Sequence, residues 1–183
     1  MGSRKRIRIR IMYLNKKNLK MESNSSILKH RGKNYSLKEI ESIEIELTDF
    51  EHKVIDSRLS GLSFGQIEEN NLRWHVDQIM LRGAAISGCV VPATEFFAEI
   101  IAEEISVFIL EFGYKDLSYD EILLALRINS KGGYKFPTGI ELESVPFFGN
   151  CFNVDYLSKI LMNYMAIRNI LDRKLQNIID GYK

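Results

Sequence analysis

Residues 153–181 read NVDYLSKILMNYMAIRNILDRKLQNIIDG. Leu157, Ile160, Leu161, Tyr164, Ile167, Leu171, Leu175 and Ile178 recur at steps of three and four. That period belongs to one face of an α-helix and not to a strand. Asn153 or Asp155 can open the helix, and Gly181 can close it. A stripe this long needs other helices to cover it, so the chain is expected to be mainly α.

Working outward from this stretch, Ser118-x-x-Glu121 has the form of a capping box. Such a pair satisfies two amides at a helix start. It opens a helix with Ile122, Leu123, Leu126 and Ile128, ending before Gly132-Gly133. Upstream, Thr94 can cap a helix whose buried face is Phe97, Ile100, Ile101, Ile105, Phe108, Ile109 and Phe112, with Gly113 after it. This most apolar segment is expected to be the central helix. Leu72, Val76, Ile79, Met80 and Ala84 mark another, from about Ile67 to Ser87, with Gly88 and Pro92 behind it. A first helix is expected from Ser36, with a second box at Ser36-x-x-Glu39. Its stripe is Ile40, Ile43, Leu47, Phe50 and Val54, suited to core packing or to a dimer seam. The sum is a bundle of about five helices. The stretch 130–152 is irregular, rich in glycine and aromatics. It has room for a β-hairpin around Gly139.

Charge divides the chain differently. Residues 1–34 hold Arg4, Lys5, Arg6, Arg8, Arg10, Lys16, Lys17, Lys20, Lys29, Arg31 and Lys33 against Glu22 alone, a net of +10. The other 149 residues carry −9, so the formal +1 of the whole conceals a basic arm on an acidic body. Within the arm, Arg6, Arg8 and Arg10 alternate with Ile7, Ile9 and Ile11. This is the period of a short strand. Residues 15–34 are polar and aperiodic, and read as a linker. The expected division is therefore a basic arm, 1–34, and a helical domain, 35–183.

Chemistry-bearing motifs are scarce. His30, His52 and His75 share no ligand spacing with each other or with Cys89 and Cys151. The row Glu95, Glu99 and Glu103, with Glu104 beside it, lacks the Glu-x-x-His partners of a di-metal bundle. It is better read as a solvated face. Neither GxxxxGK[ST] nor GxGxxG occurs. No cofactor, metal or catalytic residue is therefore expected. Two cysteines without a CxxC partner fit a reducing compartment. No apolar run is long enough to cross a membrane, and the expected location is a bacterial cytoplasm. At Lys131-Gly132-Gly133-Tyr134-Lys135 a Gly-Gly turn sits among two lysines and a tyrosine. Backbone amides, cations and an aromatic face together can meet phosphate and base. Alternatively the two glycines merely end the helix and turn the chain.

One further pattern lies in 117–171. Leu117, Ser118, Glu121, Ile122, Ala125, Gly132, Phe152, Asn153 and Tyr164 form a capped helix, a glycine-containing loop and a second capped helix. It resembles small uncharacterised proteins of phages and prophages of Bacteroides-type bacteria. That resemblance covers less than half of the chain and implies a replication-accessory protein without catalytic residues. Together the readings point to a non-enzymatic protein binding nucleic acid. Arg4, Lys5, Arg6, Arg8, Arg10, Lys16, Lys17 and Lys20 would meet phosphates, and Lys131, Tyr134 and Lys135 would form a second contact. The alternative is a structural or interaction protein, such as a virion component or an inhibitor of a host factor. Its arm would then contact an acidic protein surface, including that of another copy in a homo-oligomer.

Overall fold

A computed structural model describes residues 28–30, 33–35 and 47–181, except 148 and 150. Among these the fold is mainly helical, as the periodicity predicts. The helices are α1 (Asp49–Leu59), α2 (Glu69–Ser87), α3 (Glu95–Glu111), α4 (Tyr119–Ser130) and α5 (Val154–Gly181). A 3-10 turn, Phe64–Gln66, joins α1 to α2. Two antiparallel hairpins accompany them: β1 (Leu28–His30) with β2 (Lys33–Tyr35), and β3 (Gly133–Lys135) with β4 (Glu141–Glu143). The described residues form two compact units. One is Lys53–Arg168; the other combines the described parts of 1–52 and 169–183.

Helix ends follow local chemistry. Ser118 Oγ accepts from the Glu121 amide at 3.1 Å, while the Ser118 amide donates to Glu121 Oε2 at 3.0 Å. Thr94 Oγ1 accepts from the Phe97 amide, and Asn153 Oδ1 from the Tyr156 amide at 2.9 Å. Helix α2 stops at Gly88, which is left-handed with φ 71°.

Three expectations need correction. The single helix expected to run from Ser36 through Val54 is interrupted at 47–48, and α1 starts at Asp49. Thr48 and Glu51 bond reciprocally, at 2.7 Å from the Thr48 amide to Glu51 Oε2 and 3.2 Å from the Glu51 amide to Thr48 Oγ1. This Thr-x-x-Glu box starts a helix where the apolar stripe ran through; residues 36–46 lie outside the described set. The linker read into 15–34 holds β1 and the start of β2, which pair antiparallel with Leu28 opposite Tyr35 and His30 opposite Lys33. Finally, the central helix is α4 and not α3. Glu121, Ile122, Leu123, Ala125, Leu126 and Asn129 of α4 are all buried. Helix α3 buries only Ala102, Ile105 and Ile109 and leaves Phe97, Ile100 and Phe112 exposed. Its apolar residues encircle the helix, so whichever face packs inward, another stays in water.

The core of the 53–168 unit lies among α2, α4 and the first half of α5. Phe64, Ile79, Leu117, Ile122, Leu126, Phe152, Leu157 and Tyr164 are at most 1% exposed. The chain from α2 toward α3 meets the approach to α5 in a parallel bridge, Val90 to Cys151, with the Phe152 amide donating to the Val90 carbonyl at 3.2 Å. That docking lays the Phe152 ring across α2 at Gly83. A Cβ on Gly83 would stand 2.6 Å and 2.7 Å from the ring carbons of Phe152. Neither a buried ring nor a helix backbone yields readily in a close-packed interior. Gly83→Ala should therefore lower stability by about 1–3 kcal/mol, the usual cost of overpacking. Urea unfolding followed by circular dichroism measures it, and pairing the change with Phe152→Leu should recover part of the loss.

Candidate functional site

The most concentrated electrostatics lie at the start of α4. Glu121 is 1% exposed. Its Oε2 accepts the Ser118 amide of its own cap. Its Oε1 faces three donors: Tyr164 Oη at 3.2 Å, Arg168 Nε at 3.2 Å and Arg58 Nε at 3.9 Å. Ser118 Oγ in turn donates to the Ser57 carbonyl at 2.6 Å. One carboxylate thus ties the end of α1, the start of α4 and the middle of α5. Burial pushes the Glu121 carboxyl above its ordinary range, against the opposing pull of Arg168, the Ser118 amide, Arg58 and Tyr164. Burial and the adjacent Glu121 likewise hold the Tyr164 phenol well above its usual range, so it remains a donor. Both carboxylate oxygens are engaged and the group is shut from water. The cluster therefore holds helices together and presents no reactive atom.

The second region is the connection from α4 to α5. Asn129 clamps it: Oδ1 accepts from the Val145 amide at 2.6 Å, and Nδ2 donates to the Val145 carbonyl at 3.2 Å and to Tyr156 Oη at 3.0 Å. Beneath the hairpin lies a cavity of ≈ 10 Å³ between α4 and α5, with Asn129, Leu142, Asn163 and Tyr164 among its lining. It has room for about one water molecule. The carbonyl of Glu143 accepts from Asn163 Nδ2 at 3.0 Å, fastening β4 to α5.

The residues expected to meet nucleic acid fare differently. Arg4, Lys5, Arg6, Arg8, Arg10, Lys16, Lys17 and Lys20 lie outside the described residues. Lys131 is exposed at the C-terminal cap of α4. Tyr134 is half-buried, edge-on to Phe136 with centroids 4.9 Å apart. Lys135 is exposed and paired to Glu141 at 3.2 Å. In the ladder Gly133 faces Glu143 and Lys135 faces Glu141, so acidic partners stand across from the basic strand. Gly133 has φ 92°, and a Cβ there would collide with the Leu142 carbonyl. The hairpin itself accounts for this glycine.

The remaining candidates scatter. His75 Nδ1 donates to the Asn71 carbonyl at 2.9 Å, and its ring sits edge-on to Trp74, Tyr119 and Phe64. Cys89 and Cys151 are half-buried free thiols beside the Val90–Cys151 bridge. Burial raises the Cys89 thiol, and Cys151 adds to the rise. Among the described residues, no group of three or more His, Cys, Asp or Glu side chains is placed to hold a metal ion. No helix among them is long and apolar enough to cross a membrane. Comparison with protein-family models, with curated proteins and with solved structures gives no match. The positions carrying the phage-protein resemblance are capping and packing sites here: Leu117, Ile122, Ala125, Phe152 and Tyr164 are buried, and Ser118, Glu121 and Asn153 cap. Sequence reading saw Glu121 as a cap but missed its guanidinium partners, because Arg58 and Arg168 are remote in the chain. It missed Asn129 altogether, an asparagine at the end of an apolar stripe.

Glu121→Ala removes the carboxylate that Tyr164, Arg168 and Arg58 face and should cost about 3–5 kcal/mol. Glu121→Gln keeps an acceptor for the Ser118 amide and should cost less. A carboxyl raised in the fold contributes stability that is present below its unfolded pKa and lost as pH rises through the folded one. Wild type should therefore gain on Glu121→Gln as pH falls from 7 toward about 4.5, near the unperturbed value of a glutamate. Chemical denaturation of both variants across that range checks the sign. The raised Cys89 thiol should also alkylate more slowly at pH 8 than a small free thiol, as followed by mass spectrometry in the Cys151→Ser background.

Proposed function

We propose that this protein is a non-enzymatic nucleic-acid-binding accessory, of the phage-replication kind that its C-terminal pattern resembles. The observation that carries the reading is the segregation of charge, eleven basic residues against one acidic within 1–34. A segment so charged attracts polyanions whatever their sequence, and releases their counterions on binding. Arg4, Lys5, Arg6, Arg8, Arg10, Lys16, Lys17 and Lys20 supply the contacts. The hairpin adds at most Lys131, because Lys135 already faces Glu141 and Tyr134 lies against Phe136. The acidic body discourages wrapping and confines the contact to the arm.

Fluorescence anisotropy of labelled single- and double-stranded DNA and RNA tests it on the full chain. With six to eight phosphates neutralised on duplex DNA, the slope of log K against log salt should be about −5 to −7. Replacing Arg4, Arg6, Arg8 and Arg10 by serine should reduce that slope by about four and abolish most binding, whereas Lys131→Ser should reduce it by about one at most. Absence of binding to every probe at low salt would remove this reading.

A second reading is favoured by one observation. Helix α3 carries Glu95, Glu99, Glu103, Glu104 and Glu111 and no basic residue, and it exposes large apolar side chains between them. A protein surface of that composition suits the same arm.

A further inference from the structure

Helix α3 has two apolar faces, and the described fold uses only one. Ala102, Ile105 and Ile109 are buried against the 53–168 unit. Phe96, Ile100 and Val107 are 66%, 40% and 39% exposed. On a helix of 3.6 residues per turn these three lie within about 40° of one another, on the side away from the buried face. Glu99 and Glu103 run along one margin of the stripe, and Glu104 and Glu111 along the other. None of the five glutamates of α3 is ion-paired among the described residues. Phe97, 58% exposed, widens the apolar surface near the helix start. An apolar stripe hemmed by carboxylates of one sign is not an ordinary solvated face. It offers burial to an apolar segment and attraction to a cationic one.

The chain itself contains a segment of that chemistry. Residues 4–14, RKRIRIRIMYL, combine five cations with Ile7, Ile9 and Ile11 in alternation. In an extended chain, alternate residues repeat every 6.6 Å or so on one side. Phe96 and Ile100 are about 6 Å apart along the helix axis, and Ile100 and Val107 about 10 Å. Three isoleucines on one side of an extended segment therefore span about 13 Å, against about 16 Å for the stripe. The arginines of a segment docked in this way would stay hydrated on the other side, still within a Debye length of about 10 Å from the carboxylates. We propose that the solvent face of α3, built on Phe96, Ile100 and Val107, is the docking surface for residues 4–14 of a second copy of this chain. The contact is head-to-tail, arm into helix face, and it does not depend on nucleic acid.

Sedimentation velocity on the full chain, stripped of nucleic acid, reads the association directly. The expected result is a reversible oligomer at about 50 mM salt that weakens at about 500 mM, where the Debye length falls to a few ångströms. Ile100→Ser with Val107→Ser should weaken association by about tenfold or more while leaving the helical circular dichroism unchanged, since neither side chain belongs to the buried core. Arg6→Ser, Arg8→Ser and Arg10→Ser together should do the same. Mixing the two variants should restore association, because one keeps the helix face and the other the arm. A monomeric wild type at low salt, association indifferent to either set of changes, or a mixture that fails to associate would each overturn the proposal. Because the assay contains no nucleic acid, its outcome is independent of the anisotropy measurement.

Discussion

The fold of the 53–168 unit depends on one carboxylate. Glu121 ends the capping box of α4, accepts the Tyr164 hydroxyl from α5, and draws Arg168 and Arg58 to the same oxygen. A charged group in an interior costs several kcal/mol in lost hydration unless every lone pair is engaged. Here engagement requires α1, α4 and α5 to approach at one angle and one register. Apolar packing tolerates sliding; a carboxylate held by directed donors does not. The cluster therefore specifies the arrangement more than it stabilises it, and the hydrophobic core supplies the driving force.

Around that fixed point, local caps and a few contacts between distant residues complete the structure. Asn153 starts α5, Thr94 starts α3, and the Phe152 ring closes over Gly83. In the other unit, Lys174 meets both oxygens of Glu51, at 2.8 Å and 2.7 Å, and Glu51 also completes the cap at Thr48. An acidic residue thus serves twice again, once for a helix end and once for a distant cation.

Much of this was legible in the residues. The caps at Ser118, Thr94 and Asn153, the glycine stop at Gly88 and the stripe of α5 all follow from neighbours within four positions, which a sequence displays. The hairpin at 133–143 could be anticipated from its glycines. The central place of α4 could not. Hydrophobicity ranks α3 first, yet burial depends on which side of a helix is matched by partners, and that is a property of the assembled bundle. The ion cluster was hidden for the same reason: Arg58 and Arg168 stand 63 and 47 residues from Glu121. As for the binding residues, the charge of the arm is plain in the sequence, but Lys135 and Tyr134 gain their neighbours Glu141 and Phe136 only when the hairpin closes.

The clamp at Asn129 changes what kind of loop joins α4 to α5. By gripping both backbone groups of Val145 it divides a connection of some twenty residues into two independent closures, one holding the hairpin and one leading to Asn153. The entropy of closing a loop grows only with the logarithm of its length. Residues inserted at the hairpin tip, around Thr138, would lengthen the first closure alone and leave the second untouched. The tip is thus the place where this chain can accept new sequence, and with it new surface, without renegotiating the geometry fixed by Glu121.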